Sequence, residues 1–197
     1  MKHQIFRFIA ITAFIFSFIS VRSAWAQQEQ RGPSTPEERS KAVKIAHDLE
    51  TDPLGKDAKD QRMWVYQWIT EIPDITVNVC LDYFGKLPNP PRGHSVEIAQ
   101  QMVISMAAYM IEHTDDAKNE QAVSLSGLIG SIKAYQAILK QEPDSRWAQM
   151  DKLVLMREQG TLDDFVADTR RKCAQEDEQP DPDTIRAQAS FHSFPGR

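Results

Sequence analysis

The stretch from Met102 to Ile111, MVISMAAYMI, contains one polar residue, Ser105. A helix that is apolar nearly all round has no face to offer water, so it must be surrounded by other helices. The rest of the chain is suited to surround it. Proline and glycine interrupt the sequence at short intervals, and the segments between them repeat their apolar residues with helical period.

Thr35-Pro36-Glu37-Glu38 has the form of a capping box with proline at the first helical position. The helix that it opens turns Ala42, Val43, Ile45, Ala46 and Leu49 inward and stops at Asp52-Pro53. A second helix is expected from about Asp57 to Glu71, with Trp64, Val65, Trp68 and Ile69 on one face and Pro73 at its end. In the following segment, Ile75, Val77 and Val79 alternate with polar residues as a strand would. Asp74, however, is a good N-cap, and Val77, Cys80, Leu81 and Phe84 share a helical face. No other stretch offers a convincing strand partner, and a lone strand leaves its backbone groups unpaired, so a short helix is expected. Pro88 to Gly93 is a loop.

Further helices are expected at Ser95–His113, within Asp115–Leu139, at Ser145–Gln159 with Gly160 closing it, and from Thr161 to about Cys173. In the second of these four segments, Ala122, Ser126, Gly130 and Ala134 fall four apart, a small-residue stripe that lets another helix come close. The expected fold is therefore all-α, a compact bundle or helical-hairpin array of about six to seven short helices. The expected divisions are a cleavable signal peptide at 1–26, a flexible lead-in at 27–34, one helical domain at 35–174 and a disordered acidic tail at 175–197.

The signal reading rests on Lys2 and Arg7, an apolar run of 14 residues from Phe8 to Val21, and the small-x-small triplet Ala24-Trp25-Ala26. Fourteen residues are too few to span a bilayer core as a helix, which needs about 20. The expected location is therefore periplasmic or secreted, with no membrane span after cleavage. The signal holds three cations and no acid, so its removal takes the net charge from −5 to −8. An acidic domain is a poor partner for nucleic acid or for anionic membranes.

Export also bears on the only two cysteines, Cys80 and Cys173. In an oxidising compartment two thiols tend to pair, so a disulfide is expected, with two buried free thiols as the alternative. A catalytic cysteine would need a histidine base, and no histidine lies close to either in sequence. No CxxC or HxxxH pattern suggests a metal, and no motif calls for a cofactor.

The candidates for binding or chemistry are few. Trp64 and Trp68 would stack on a sugar or peptide if exposed, although aromatic stripes usually pack inward. Met102, Met106 and Met110 form a stripe suited either to an adaptable surface or to the core. His113 sits among Glu112, Asp115 and Asp116, as in an acid–base site or as at a helix end followed by an N-cap. Glu71, Asp74 and Asp82 complete the set of candidate groups near the tryptophans.

Two stretches carry resemblances. SIKAYQAILKQEPDS, Ser131 to Ser145, resembles the end of a tetratricopeptide repeat, with Tyr135, Ile138 and Pro143 in matching places. It covers about half of one repeat, lacks the upstream Trp and Leu-Gly, and has no second copy, so it implies a helical hairpin. Val96 to Tyr135 is similar to the helix–E-H-x-x–helix core of small periplasmic immunity proteins that neutralise secreted amidases, without a cysteine in that stretch. That similarity implies an exported inhibitor with a protein partner. The expected function is accordingly an exported, non-catalytic helical binding protein, in its most concrete version an immunity or inhibitor protein whose partner is another exported protein. The alternative is a periplasmic cell-wall-acting hydrolase or lyase with a helical cleft.

Overall fold

The computed structural model describes residues 31–85 and 93–178; the expected signal peptide, most of the Pro88–Gly93 loop and the tail beyond 178 lie outside them. Among the described residues there are six α-helices, one 3-10 turn and no strand. The helices are α1 (Pro36–Thr51), α2 (Ala58–Glu71), α3 (Ser95–Glu112), α4 (Glu120–Gln141), α5 (Ala148–Glu158) and α6 (Leu162–Glu178). The 3-10 turn, Leu81–Phe84, lies between α2 and α3.

The apolar helix α3 is the centre, as its sequence demands. It packs along α4 and is crossed by α1 and α2. Ile98, Met102, Ile104, Met106 and Ala107 are all buried. On the side of α4, α5 and α6, Leu128, Ile132, Tyr135, Met150, Leu153, Leu162 and Val166 close a second part of the core around Tyr83 and Phe84. α4 is itself apolar enough to cross a membrane by length and composition, with a mean hydropathy of 1.3. Over half of that window, 56%, is buried among the other helices, the pattern of a core helix.

The small-residue stripe explains how α3 and α4 approach. A Cβ on Gly127 would stand 2.8 Å from the Met102 carbonyl oxygen, and one on Gly130 would stand 2.5 Å from Ser105 Cβ. Ordinary contact needs 3.4 Å or more, so only glycine fits at either position. The gap left by Gly130 holds a polar cluster that sequence patterns did not reveal. Glu50 of α1, 8% exposed, accepts a hydrogen bond from Ser105 Oγ at 3.1 Å and pairs with Lys133 Nζ at 2.7 Å. Gln101 Nε2 donates to Ser105 Oγ and to the Ala46 carbonyl. Here α1, α3 and α4 are joined through side chains whose burial without partners would cost several kcal/mol.

Local signals place most helix ends. Thr35 Oγ1 accepts from Glu38 N and Glu38 Oε2 accepts from Thr35 N, which is the expected capping box. Gly160, at φ +73°, ends α5: its N–H donates to Arg157 O, and Thr161 N–H donates to Met156 O. α4 starts inside its expected range and α5 starts later than the expected Ser145, and in each case a local polar group is engaged elsewhere. Asp116 accepts from Tyr109 Oη at 2.6 Å, residues 114–118 form turns, and Asn119 caps α4 through Ala122 N. Trp147 N–H donates to Tyr135 Oη at 3.0 Å, which holds Trp147 extended and delays α5 to Ala148. At the other end of the chain, α6 continues through Glu178, so residues 175–178 are helical instead of opening the expected disordered tail.

The segment expected as a short helix is the main correction. Ile75 to Cys80 is extended, and only Leu81–Phe84 turn. Asp74, the expected N-cap, is engaged elsewhere. Its carboxylate accepts from Ser34 N at 2.8 Å, Ser34 Oγ at 2.7 Å and Arg39 Nη2 at 2.6 Å. Burial works against ionisation of Asp74, yet these hydrogen bonds outweigh it and hold the carboxyl down to about 2. The same contacts pin residues 31–34, the end of the expected flexible lead-in, as do the ion pairs of Arg31 with Glu38 and Glu71.

Candidate functional site

The two tryptophans of α2 pack inward, in keeping with amphipathic spacing. Trp68 is 2% exposed and stacks on Trp64 with ring centroids 5.7 Å apart. Trp64 is half-buried, with Lys41 Nζ 3.8 Å from its ring centroid. Beside them lies a small recess of about 180 Å³ lined by Glu38, Glu71 and both tryptophans. Arg31 occupies its mouth and pairs with both carboxylates. The hydrogen bond from the Thr35 backbone N–H, aided by the Arg31 guanidinium, holds the Glu38 carboxyl below its usual range.

The other candidates are scattered. His113 is the exposed C-cap of α3, its ring tilted 33° against that of Tyr109 at 4.4 Å between ring centroids. Asp82 is exposed in the 3-10 turn. Neither lines the tryptophan recess. Of the methionine stripe, Met102 and Met106 are core, and Met110 is partly exposed.

Cys80 and Cys173 stand at disulfide distance, with Cα atoms 6.2 Å apart, and join the end of the extended segment to α6. The Asp82 carboxylate and the two sulfurs all lie within 4.8 Å of one another. Bonded to each other, the sulfurs are not the thiolates that a metal ion takes as ligands.

A concavity runs beside Ile75–Cys80. Two adjoining hollows of about 320 Å³ and 420 Å³ share Asn78, Glu120 and Arg170 as their common wall. The floor of the first is apolar, made by Met106, Met110 and Val123. Its rim carries Asp74, Thr76 and Asn78, every second residue of the extended segment. The intervening Ile75 is buried and Val77 is half-buried against the core, so the alternation separates core from groove as far as Val77; Val79 is exposed and, with Val77, lines the second hollow. The common wall is tied together. Asn78 Nδ2 donates to Glu120 Oε1 at 3.2 Å, Arg170 pairs with Glu120 Oε2, and Arg170 Nη1 donates to Ser124 Oγ at 3.3 Å. The Arg170 contact holds the Glu120 carboxyl below its usual range.

The backbone of this segment distinguishes the groove. Among the described residues, no backbone hydrogen bond joins Ile75–Cys80 to another element. An extended stretch with free N–H and C=O groups beside an apolar-floored groove is the local geometry of an unpaired sheet edge. The strand-like alternation of 75–80 was the signal for it. Glu120 and Arg170, 50 residues apart, had no signal, because only helix packing brings them together.

No protein-family model, no curated protein and no solved structure matches this chain.

Proposed function

We propose that the chain is an exported, non-catalytic binding protein that captures an extended segment of another exported protein in the groove along Ile75–Cys80. The observation that carries this is that, among the described residues, the backbone of that segment has no backbone partner beside the Met106, Met110 and Val123 floor. Adding a strand to such an edge satisfies backbone groups regardless of sequence, while the floor selects apolar side chains at alternate positions. The segment is held for that purpose at both ends, by Asp74 at one and by the cysteine pair at the other. An immunity or inhibitor role is the concrete version of this reading, since such proteins act by occupying a partner.

The alternative, a cell-wall-acting hydrolase, draws on Glu38 and Glu71 in the tryptophan-lined recess. The lowered carboxyl of Glu38 is the wrong direction for a general acid, and Arg31 already pairs with both carboxylates; both facts favour binding over hydrolysis.

Affinity capture from periplasm or culture medium with the mature chain tests the proposal, with Met110→Glu as the paired control. The expected result is one stoichiometric protein recovered by the wild type and lost with Met110→Glu at unchanged far-UV circular dichroism. Equal recovery by both chains would remove the groove from the reading. Recovery of nothing by either would remove the protein partner.

A further inference from the structure

We propose that Cys80, Cys173 and Asp82 become a zinc site when the disulfide is reduced, so that a metal ion takes over the tie between the extended segment and α6. Nothing need occupy the groove for this site to form.

The donor set fits the ion. The two sulfurs and the Asp82 carboxylate all lie within 4.8 Å of one another. Zn2+ accepts thiolate and carboxylate ligands tetrahedrally, at about 2.3 Å from sulfur and about 2.0–2.2 Å from oxygen. Those lengths put two ligating sulfurs about 3.7 Å apart, and sulfur about 3.6 Å from the carboxylate oxygen. A disulfide holds its sulfurs about 2 Å apart, so each has to withdraw by roughly 1 Å. Side-chain rotation supplies that change with the Cα atoms 6.2 Å apart. Asp82 is exposed, so its carboxylate is free to close the remaining distance.

The donors are held near each other by more than the disulfide. Cys80 precedes the 3-10 turn, Asp82 lies in it and Cys173 stands on α6. Tyr83 and Phe84 of the turn are buried, and the Tyr83 ring meets Phe165 of α6 edge-on at 6.2 Å between centroids. Gln149 Nε2 of α5 donates to the Tyr83 carbonyl at 3.0 Å. Breaking the S–S bond leaves all these contacts in place.

Charge and access favour the ion too. Arg170 and Arg171, beside Cys173 in sequence, pair with Glu120 and Asp168. Asp82 has no ion-pair partner among the described residues, so two thiolates and its carboxylate would face a cation unopposed. Both cysteines are half-buried and line the 420 Å³ hollow, through which an ion can enter and water can fill the fourth position.

A dithiol reductant drives the change. One of its thiolates attacks a sulfur of the pair, the Cys80–Cys173 bond breaks and a mixed disulfide forms. Its second thiol then displaces the bound cysteine and closes the reductant's own disulfide. Two electrons and two protons thus pass from the dithiol to Cys80 and Cys173. Zn2+ displaces those two protons to water as it binds the thiolates.

Anaerobic titration of the mature chain with Co2+, a coloured stand-in for Zn2+, tests this in the oxidised state and after reduction with a phosphine. The reduced chain is expected to show thiolate-to-cobalt charge transfer and the intense visible bands of tetrahedral Co2+, saturating at one ion per chain and lost on adding Zn2+. The oxidised chain is expected to show neither. Asp82→Asn, whose folding is checked by circular dichroism while the disulfide is intact, is expected to keep the charge transfer but bind at least about tenfold more weakly. Equimolar Zn2+ is expected to raise the urea midpoint of the reduced chain and leave that of the oxidised chain unchanged. Absence of the thiolate bands after reduction overturns the proposal. So does saturation at one ion per two chains, which would mark a metal bridging two copies, and so does an Asp82→Asn affinity equal to wild type. If reduction alone unfolds the chain, Zn2+ has to restore its helical circular dichroism at one ion per chain, and failure to do so overturns the proposal as well.

Discussion

Gly130→Ala is the substitution that most directly interrogates the α3–α4 packing. In an isolated helix it would stabilise by about 1 kcal/mol through propensity. Here the added methyl stands 2.5 Å from Ser105 Cβ and 2.9 Å from Glu50 Oε1. The Ser105 hydroxyl can rotate away, but its Cβ is fixed to the α3 backbone, so the helices must separate by roughly 1 Å to reach ordinary contact. Such overpacking costs about 1–3 kcal/mol. Rotation of Ser105 also loses its hydrogen bond to the buried Glu50 carboxylate, worth about 1.5–3 kcal/mol. The net expectation is a loss of about 2–5 kcal/mol, against a propensity gain of only about 1. Urea unfolding of the oxidised protein, followed by far-UV circular dichroism, measures it, with the exposed α4 position Gln136→Ala as a control expected within about 0.5 kcal/mol of wild type. In a Ser105→Gly background the cost should shrink by at least about 1 kcal/mol, since the obstructing Cβ and hydroxyl are gone. A Gly130→Ala protein as stable as wild type would refute the close approach, and with it the reason given for the small-residue stripe.

Two further expectations follow from the same geometry. Replacing Cys80 or Cys173 by serine opens a loop of 93 residues, and the chain-entropy relation gives a loss of about 4–5 kcal/mol, to be read from urea midpoints; unreduced mature protein should weigh two hydrogens less than its reduced form, and two thiols that alkylate without reduction would sink the idea. His47 accepts or donates between Glu112 Oε1 at 3.1 Å and Glu50 Oε2 at 3.4 Å, and its hydrogen bond to Glu112 foremost, then that to Glu50, raises its pKa above 6.5 against the opposing effect of burial. A raised histidine contributes stability that is fully present below pH 6.5 and is lost as pH rises through the folded value. The stability gap between wild type and His47→Gln should therefore be widest near pH 5.5 and close by pH 8, and a gap independent of pH would refute it.

The helices were legible because their determinants are local. The Thr35–Glu38 capping box, the inward faces of α1 and α2 and the Gly160 stop all lie within a few residues of what they control. The apolar run of α3 was also enough to require a surrounding bundle, because no single exposed face can be drawn on it. Where the reading failed, a side chain had been claimed from far away. Asp74 would have capped a helix at 75, but Ser34 and Arg39, 40 and 35 residues earlier, hold its carboxylate. Closer by, Tyr109 engages the Asp116 carboxylate seven residues on, and Tyr135 Oη accepts from the backbone N–H of Trp147 twelve residues on.

The groove belongs wholly to this second category. The strand-like alternation of 75–80 was visible in the sequence, but the rim of Asp74, Thr76 and Asn78 borders a wall of Glu120 against Arg170 and a floor of Met106, Met110 and Val123, which only packing brings there. The cluster of buried Glu50 and Ser105 with the exposed Lys133 is assembled in the same way from three helices. The sequence by itself determined that the chain is a bundle of helices around α3, and it identified the two cysteines as partners. Which polar groups meet, and where an extended segment runs without a backbone partner among the described residues, was decided only by tertiary packing, because hydrogen bonds and ion pairs depend on distances that chain separation does not encode.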